Sequence, residues 1–546
     1  MSNKAFSRRK FILLTPAVAA ATLVACAPPP AAAPAEAATL APTAVPEPTA
    51  VPVPTSASAT SAEGAPKGTL TVALAFDLQS LDPIMTYALN NGRWQKNVYG
   101  YLVSRDEEMN IVPGGGLATS WEQVDDMHVL FNLRQGVQFH NGEDFNADAV
   151  VFSFQRLLDP ANKSPQRFNY TAIDYFEKVD NYTVKMVMAS MDPVIITKLA
   201  GYGAAIVPPK FVQEKGNDYV SSTMCPGTGP YQIMAHKPND SLTLEAFDGY
   251  WGEDKAKIKT VVYRIIPDDA TRLAEFLSGG VDVLTLTEPQ VDAVKGQSGL
   301  QIIPVGVPTV NGLRLDASKA PTDNVKVRAA IARAIDTQTI IDTLLNGNGV
   351  PMAVWQSPFS FGFDPDLKAY EYDVEKAKQL LSESGVADPN LIYNVIGDDT
   401  QAKEIANVVK VMLEAVGFKV DIVQKERATY YDEYVAGKLD NIVPFGWGGW
   451  TLDADNTYYS MLYTKESYNP GFSDPEIDKL LAEQRSMLDQ AKRKEIFFKL
   501  NKMIYDQCPD VMLYQQKYMW GVNERVKDLP LPADERLWLV SASVTE

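Results

Sequence analysis

Val129-Leu130-Phe131-Asn132-Leu133-Arg134, Gly136-Val137-Gln138-Phe139-His140-Asn141-Gly142 and Phe145-Asn146-Ala147-Asp148-Ala149-Val150-Val151-Phe152-Ser153 follow one another along the chain, and their order decides the fold class. Apolar residues alternate in the first run, as a half-buried strand requires, and glycines in the second mark a tight turn. The third run predicts a helix capped by Asn146, whose side chain can accept from a free N–H of the first turn, with Asp148 near the positive end of the helix dipole. Outward from this stretch the same plan continues. Residues 68–74 predict a strand, residues 271–277 a helix stopped at Gly279-Gly280, and Val281, Val283 and Leu284 a buried strand after it. Ile405, Val408, Val409, Met412, Leu413 and Val416 form one helical face that Gly417 ends, and Phe418, Val420 and Ile422 alternate as the next strand. Asp323, Asp336 and Asp373 are predicted N-caps of the helices that follow them, with Gly347 and Gly385 as stops. These are α/β units, and no tandem repeat of solenoid length accompanies them.

A chain of 546 residues, 46% hydrophobic and 22% charged, has material for a large globular body of more than one lobe. Its formal charge is -18, and loss of an N-terminal segment holding Lys4, Arg8, Arg9 and Lys10 without any acid would leave -22. A surface so acidic repels phosphate backbones and anionic lipid heads, which argues against nucleic acid as a partner and gives a weak preference for neutral or cationic solutes.

The N-terminus reports location. A basic stretch from Lys4 to Lys10 precedes an apolar run over 11–25, broken by Thr15 and Pro16, and Leu23-Val24-Ala25-Cys26 follows directly. That order reads as a cleaved export signal over 1–25, because the run is shorter than the roughly 20 residues a permanent transmembrane helix needs. The Leu-Val-Ala-Cys segment resembles a lipobox, in which Cys26 takes the lipid and becomes the new N-terminus, and two or more acyl chains suffice for stable anchoring. Ser7-Arg8-Arg9-Lys10-Phe11 also resembles a twin-arginine export signal, although basic pairs occur in ordinary leaders. From 26 to 66 the composition narrows to Ala, Pro, Thr, Ser and Val, which cannot offset the entropy of ordering. A flexible tether of that length spans about 35 Å, more with proline stiffening. The other two cysteines are Cys225 and Cys508, each before proline. An exported protein tolerates a disulfide between them, and two buried free thiols are the alternative.

Several stretches lie in the order found in a known family. They are Leu117-Ala118-Thr119-Ser120-Trp121-Glu122 and the strand, turn and helix after it, then Gly227-Thr228-Gly229-Pro230-Tyr231 with Tyr250-Trp251-Gly252. Val327-Arg328-Ala329-Ala330-Ile331-Ala332-Arg333-Ala334-Ile335-Asp336 and Phe472-Ser473-Asp474-Pro475-Glu476-Ile477-Asp478 follow. Over nearly the whole mature length the chain resembles the substrate-binding lipoproteins of ABC importers, solute-binding family 5, which take up oligopeptides, dipeptides or nickel. The resemblance implies a two-lobed periplasmic-binding-protein type II-like α/β fold with an accessory domain and a hinge. Its plan places lobe I at 67–107, 206–309 and 514–546, the accessory domain at 108–205 and lobe II at 310–513. It further implies a monomer on the outer face of the cytoplasmic membrane, held there through Cys26, with no cofactor. The implied partners are a small or oligomeric solute and the permease subunits with their cytoplasmic ATPases.

The segment from Phe445 to Asn456 is the expected pocket wall, because Trp447 and Trp450 flanked by Gly446, Gly448 and Gly449 suit close approach to a ligand better than a strand interior. Packed core tryptophans are the bland alternative. Peptide-binding relatives commonly carry Trp-x-x-Asp here, with the aspartate pairing the peptide ammonium. Counted from Trp447 the aspartate's place falls on Trp450, which can stack on a sugar face or attract a cation. Counted from Trp450 it falls on Asp453. Both registers stay open, so oligopeptide and oligosaccharide remain a joint expectation. By family position Tyr87, Asn90, Asn91 and Trp94 follow the first strand toward the cleft, and Asn311 sits near a crossing between lobes. Trp355 and Phe359 in a Pro-rich loop and Trp520 near the return crossing complete an aromatic set with few polar groups.

A secreted hydrolase of peptide or glycan is the rival class. The chain has no Gly-x-Ser-x-Gly elbow and no His-Glu-x-x-His zinc helix, and Gly296-Gln297-Ser298-Gly299 lacks the spacing. His128, His140 and His236 stand far apart in sequence and in no i, i+4 pair, so no histidine metal site is expected, although a metal could arrive inside an organic chelate.

Overall fold

The computed structural model of the chain describes residues 65–78, 80–85, 89–469 and 471–545. The export signal, Cys26, the tether as far as residue 64 and Tyr87 lie outside the described residues.

Strands and helices alternate as expected and build an α/β body around one mixed sheet, 11-stranded among the described residues. On one side the order runs Tyr231–Lys237, Ser241–Ala246, Ile258–Ile265, Lys67–Leu74, Val283–Leu286, and on the other Ile442–Trp447, Asn390–Ile396, Lys419–Lys425. Two long antiparallel strands, Leu300–Leu315 and Asp510–Asn523, stand between these groups and pair with each other along nearly their whole length. The second bonds Val283–Leu286 through residues 519–522, and the first bonds Ile442–Trp447 through residues 310–315. Their mutual register slips between Gly306 and Val310 and again between Asn311 and Gly312. Such irregularities bend and twist a ladder locally. Here the Gln515 amide donates to the Val307 carbonyl at 2.9 Å, serving an acceptor inside the interrupted stretch.

Separate apolar cores lie on the two sides of this slip. Leu70, Val72, Ile258, Val261 and Tyr263 pack the first, together with Trp520 and Val522 of the return strand. Leu313, Ile331, Tyr393, Val409 and Leu513 pack one core of the second lobe, and Val310, Trp355, Met461, Phe497 and Met512 pack another. The crossing strands thus contribute to the cores of both lobes.

Residues 129–133 belong to a four-stranded antiparallel sheet ordered Ala118–Asp125, His128–Leu133, Thr183–Met188, Ile173–Asp180. Val129, Phe131 and Leu133 point inward, and the helix Ala147–Leu158 covers that face, with Phe154 stacked on Phe176 at 4.3 Å. Asn146 is the N-cap and accepts from the Asp148 N–H at 2.9 Å, a contact worth about 1 kcal/mol. The apolar side chains of this sheet are continuous with the first lobe's core. Asp336 and Asp373 cap their helices as expected. At the helix Val325–Ala334 the cap is Asn324, which accepts from Lys326 N–H, whereas Asp323 belongs to the preceding turn, its own N–H donating to Lys319. Gly417 ends the helix Thr400–Val416 at φ 116, a conformation glycine adopts without strain.

Cys225 and Cys508 are separate free thiols packed into different cores, and burial pushes both above the usual thiol range. No helix among the described residues is long and apolar enough to cross a membrane.

His140 ties the accessory sheet to the Gly227–Pro230 loop. Its Nε2 bonds the Gly229 carbonyl at 2.9 Å and its Nδ1 accepts from Gly227 N–H at 3.2 Å, so the ring is held neutral. Burial lowers its pKa from 6.5 to about 4. A histidine depressed on folding takes up its proton first in the unfolded chain, so the stability it contributes is complete above pH 6.5 and is lost as pH falls toward 4, by about 3 kcal/mol in all. The difference in stability between wild type and His140→Gln, followed by urea melts from pH 7 to pH 4, is therefore expected to narrow steadily on acidification. A constant difference would contradict it.

Candidate functional site

A crevice of about 1210 Å³ lies between the lobes. The first lobe contributes Phe76, Asp77, Arg93 and the strand-to-helix turn from Thr285 to Asp292, and the second contributes residues 343–346, Asn348, Thr400, Gln401 and Glu404. Tyr514 and the run from Gln516 to Met519, on the return crossing strand, join the two walls. A neighbouring pocket of about 280 Å³ shares Gln401 and Tyr514 and adds Asn311, Tyr393, Asp399, Tyr430, Phe445 and Gly446. The main crevice is larger than the roughly 300–1,000 Å³ of ordinary small-molecule pockets, which gives room for an extended oligomeric solute.

Local sequence explains these walls. Thr287 starts the helix Glu288–Val294, Pro289 sits in its first turn, and the Gln290 side chain accepts from Thr287 N–H at 3.0 Å. That arrangement projects Glu288 from the helix start toward the opposite lobe, where Asn348 and Asn346 donate to its carboxylate at 3.2 and 3.5 Å. Burial raises the Glu288 pKa despite those donors, and the negative charge of Asp292 adds to the rise. Asp399 caps the helix Thr400–Val416 and so fixes Thr400, Gln401 and Glu404 at the crevice. Arg93 pairs with Glu535, both nearly buried, and burial pushes the Tyr518 hydroxyl up to about 12.

The glycine-flanked indoles pack against other parts of the chain and line neither of these two pockets, although Phe445 and Gly446 of the same segment line the smaller one. Trp447 ends the strand Ile442–Trp447 and packs between Phe445 at 6.0 Å and the edge of Tyr468 at 5.2 Å, its N–H buried without an acceptor among the described residues. A Cβ on Gly448 would come within 2.6 Å of Thr309 Oγ1, and one on Gly446 within 2.6 Å of Asn311 Oδ1. The close approach these glycines permit is therefore to the neighbouring crossing strand. Trp450 reaches the loop at Gly201 and Tyr202, edge-on to Tyr202 at 6.4 Å, and a side chain at Gly201 would collide with its ring. Beside it Arg105 donates to the Thr451 carbonyl at 2.8 Å. Asp453 is buried as the N-cap of the helix Ala454–Leu462 and takes a two-pronged ion pair from Arg493 at 2.6 and 2.7 Å. A carboxylate so engaged has no free charge for an ammonium, which corrects the expectation of an anchor there.

Of the remaining expected residues, Trp94, Trp355 and Trp520 are core residues, 0%, 2% and 0% exposed. The Trp355 N–H donates to Asp510 at 2.8 Å, and the Arg93 guanidinium lies 5.0 Å over the Trp520 ring, and none of the three indoles lines the crevice. Phe359 packs with Met109, Leu452 and Ala533 where the lobes meet. Asn311 lines the smaller pocket, and its amide faces Gln516 at 3.5 Å. Asn90 and Asn91 lie in the first turn of the helix Leu89–Val98. Glu288, Asn348, Glu404, Tyr514 and Lys517 were not anticipated. Asp399 before a helix and the Thr287-x-x-Gln290 pattern were the available signals, since both mark helix starts, where ligands commonly bind.

Among the described residues no group of three or more His, Cys, Asp or Glu side chains could hold a metal ion, and none of the three histidines lines the crevice.

The profile of the family described as bacterial extracellular solute-binding proteins, family 5 Middle, matches residues 112–469. Heme-binding protein A of Haemophilus influenzae is 29% identical over 474 residues, covering 79% of this chain and 84% of its own length. The dipeptide-binding protein of Escherichia coli is 27% identical over 509 residues, covering 85% and 90%. Among solved structures, HbpA2 from Haemophilus parasuis superimposes with a TM-score of 0.79 at 24% identity, covering 88% of this chain and 100% of its own. DppA from Helicobacter pylori, in complex with the peptide STSA, does so with a TM-score of 0.71 at 24% identity, covering 88% and 98%. These structures share its fold.

Proposed function

The chain belongs to the bacterial extracellular solute-binding proteins, family 5, and from that premise we propose that it captures an oligopeptide-like solute in the interlobe crevice by hinge closure. It then hands the solute to the permease of an ABC importer whose cytoplasmic ATPases drive uptake. One observation carries this reading: a single cavity is walled by both lobes and by the strand that joins them. A solute touching both walls stabilises the closed arrangement by its extra contacts there, and its differential affinity sets how far the population shifts. The register slips at Gly306/Val310 and Asn311/Gly312 supply the place to bend. Relatives named as dipeptide-, heme- and glutathione-binding proteins support a small organic solute. The acid-rich walls favour a solute with an amine over a neutral oligosaccharide. The relatives are named as binding proteins, which supports capture without turnover. Lipid attachment at Cys26 and a tether over 26–66 would keep the binding body outside the cytoplasmic membrane and near its permease.

Small-angle scattering with and without a di- to pentapeptide mixture, followed by native mass spectrometry of the retained species, tests the reading. A smaller radius with an unaltered retained peptide is expected. An unchanged radius at saturation would remove hinge closure, and hydrolysed peptide would turn the reading toward an enzyme.

A further inference from the structure

The fixed charges of the crevice do not balance. Arg93 is paired with Glu535, and Arg272 is paired with Asp269 and donates to the Ile266 carbonyl at 2.7 Å. Asp292 and Glu404 have no ion pair among the described residues, and Asp77 accepts only from the backbone N–H groups of Leu78 and Asn239. Glu288 accepts from two neutral amides. Against these four carboxylates stands Lys517, which has no acidic partner among the described residues. The two walls carry the excess differently: Asp77, Glu288 and Asp292 are on the first lobe, Glu404 on the second, and Lys517 on the strand between them. Meanwhile the aspartate at the expected amine anchor, Asp453, is neutralised by Arg493.

Resting on the proposed function, we propose that the crevice selects a solute with at least two cationic groups and one carboxylate, the chemistry of a short basic peptide. One cationic group meets the acids of the first lobe, the other meets Glu404 of the second, and the carboxylate meets Lys517. Closure would bring fixed carboxylates of both walls toward each other, and like charges within a shared site disfavour that arrangement unless cations lie between them. A solute with positive charge at both ends therefore favours the closed form more than a neutral one of the same length. Asp77, Glu288 and Lys517 are partly buried and screened less than the exposed Asp292 and Glu404, so physiological salt is expected to weaken the preference without removing it.

Titration calorimetry of the lipid-free full binding body with trialanine, trilysine and triglutamate, at low and physiological salt, tests this. Trilysine is expected to bind at least about tenfold more tightly than trialanine, with triglutamate weakest. Glu404→Gln and Asp292→Asn are each expected to cut the trilysine preference by about threefold or more. Lys517→Met is expected to abolish the difference between peptides with free and amidated C-termini. Glu253→Gln, on an exposed acid outside the crevice, is the control for the general acidic field, and an equal loss there would overturn the proposal. Equal binding of trialanine and trilysine would overturn it too, while leaving peptide capture intact. Failure of all three peptides to bind or to change the scattering radius would remove capture of peptides and this specificity with it. Thermal melts of each variant identify the folded ones used for comparison.

Discussion

Arg314→Met is expected to destabilise the second lobe by about 3–5 kcal/mol, the usual penalty for removing one partner of a buried ion pair. Arg314 is 0% exposed and its Nε bonds Asp510 Oδ1 at 2.8 Å. Its other nitrogens donate to the Met461 carbonyl at 2.8 Å and the Tyr468 carbonyl at 2.5 Å, while Trp355 N–H holds Asp510 Oδ2 at 2.8 Å. The methionine leaves the Asp510 charge half-served and the buried Met461 carbonyl without its guanidinium donor, while the Tyr468 carbonyl keeps the Tyr434 hydroxyl at 2.8 Å, and no water can replace the guanidinium without opening the core. Urea unfolding followed by tryptophan fluorescence reads the effect. A loss below about 1 kcal/mol would mean that the pair is solvated in the native protein. The stakes are more than local, because Arg314 and Asp510 sit opposite each other in the register of the two crossing strands. Loosening them frees the second-lobe end of the hinge.

Arg493→Met is expected to cost about 3–5 kcal/mol as well, for the same reason, with Asp453 left buried and charged. Its informative partner is Asp453→Asn, which keeps a side-chain oxygen to cap the helix Ala454–Leu462 and removes the charge. The double variant is expected to be more stable than Arg493→Met alone, which a double-mutant cycle would report as a coupling of at least about 1 kcal/mol. Peptide affinity of folded Asp453→Asn is expected to equal that of wild type. Loss of binding without loss of stability would restore Asp453 as the ligand's ammonium partner and remove the purely structural role.

Features written in short-range periodicity were legible in the sequence. The run from Val129 to Ser153, the cap at Asn146, the stop at Gly417 and the strand after it all follow from side-chain spacing of two or 3.6 and from local hydrogen bonding. Asp323 went astray by one position because two adjacent residues, Asp323 and Asn324, both have cap chemistry, and only backbone geometry chooses between them. The crevice was not legible. Its walls come from segments around 76, 93, 288, 346, 401 and 517, which meet only through the crossing of two long strands. Trp447 and Trp450 show the complementary difficulty: an indole among glycines looks the same in sequence whether its contact is a guest or another part of the chain. Arg493, 40 residues from Asp453, carries no local sign that it will neutralise that carboxylate.

The seat of Trp450 beside Gly201 and Tyr202 offers an optical gauge of how the second lobe sits against that loop. Its indole follows the second-lobe strand Ile442–Trp447 and rests on Tyr202 outside that lobe, so a shift of this contact is expected to alter the polarity and quenching it experiences. If the lobes close as proposed, the emission of Trp450 is expected to report it from outside the crevice lining.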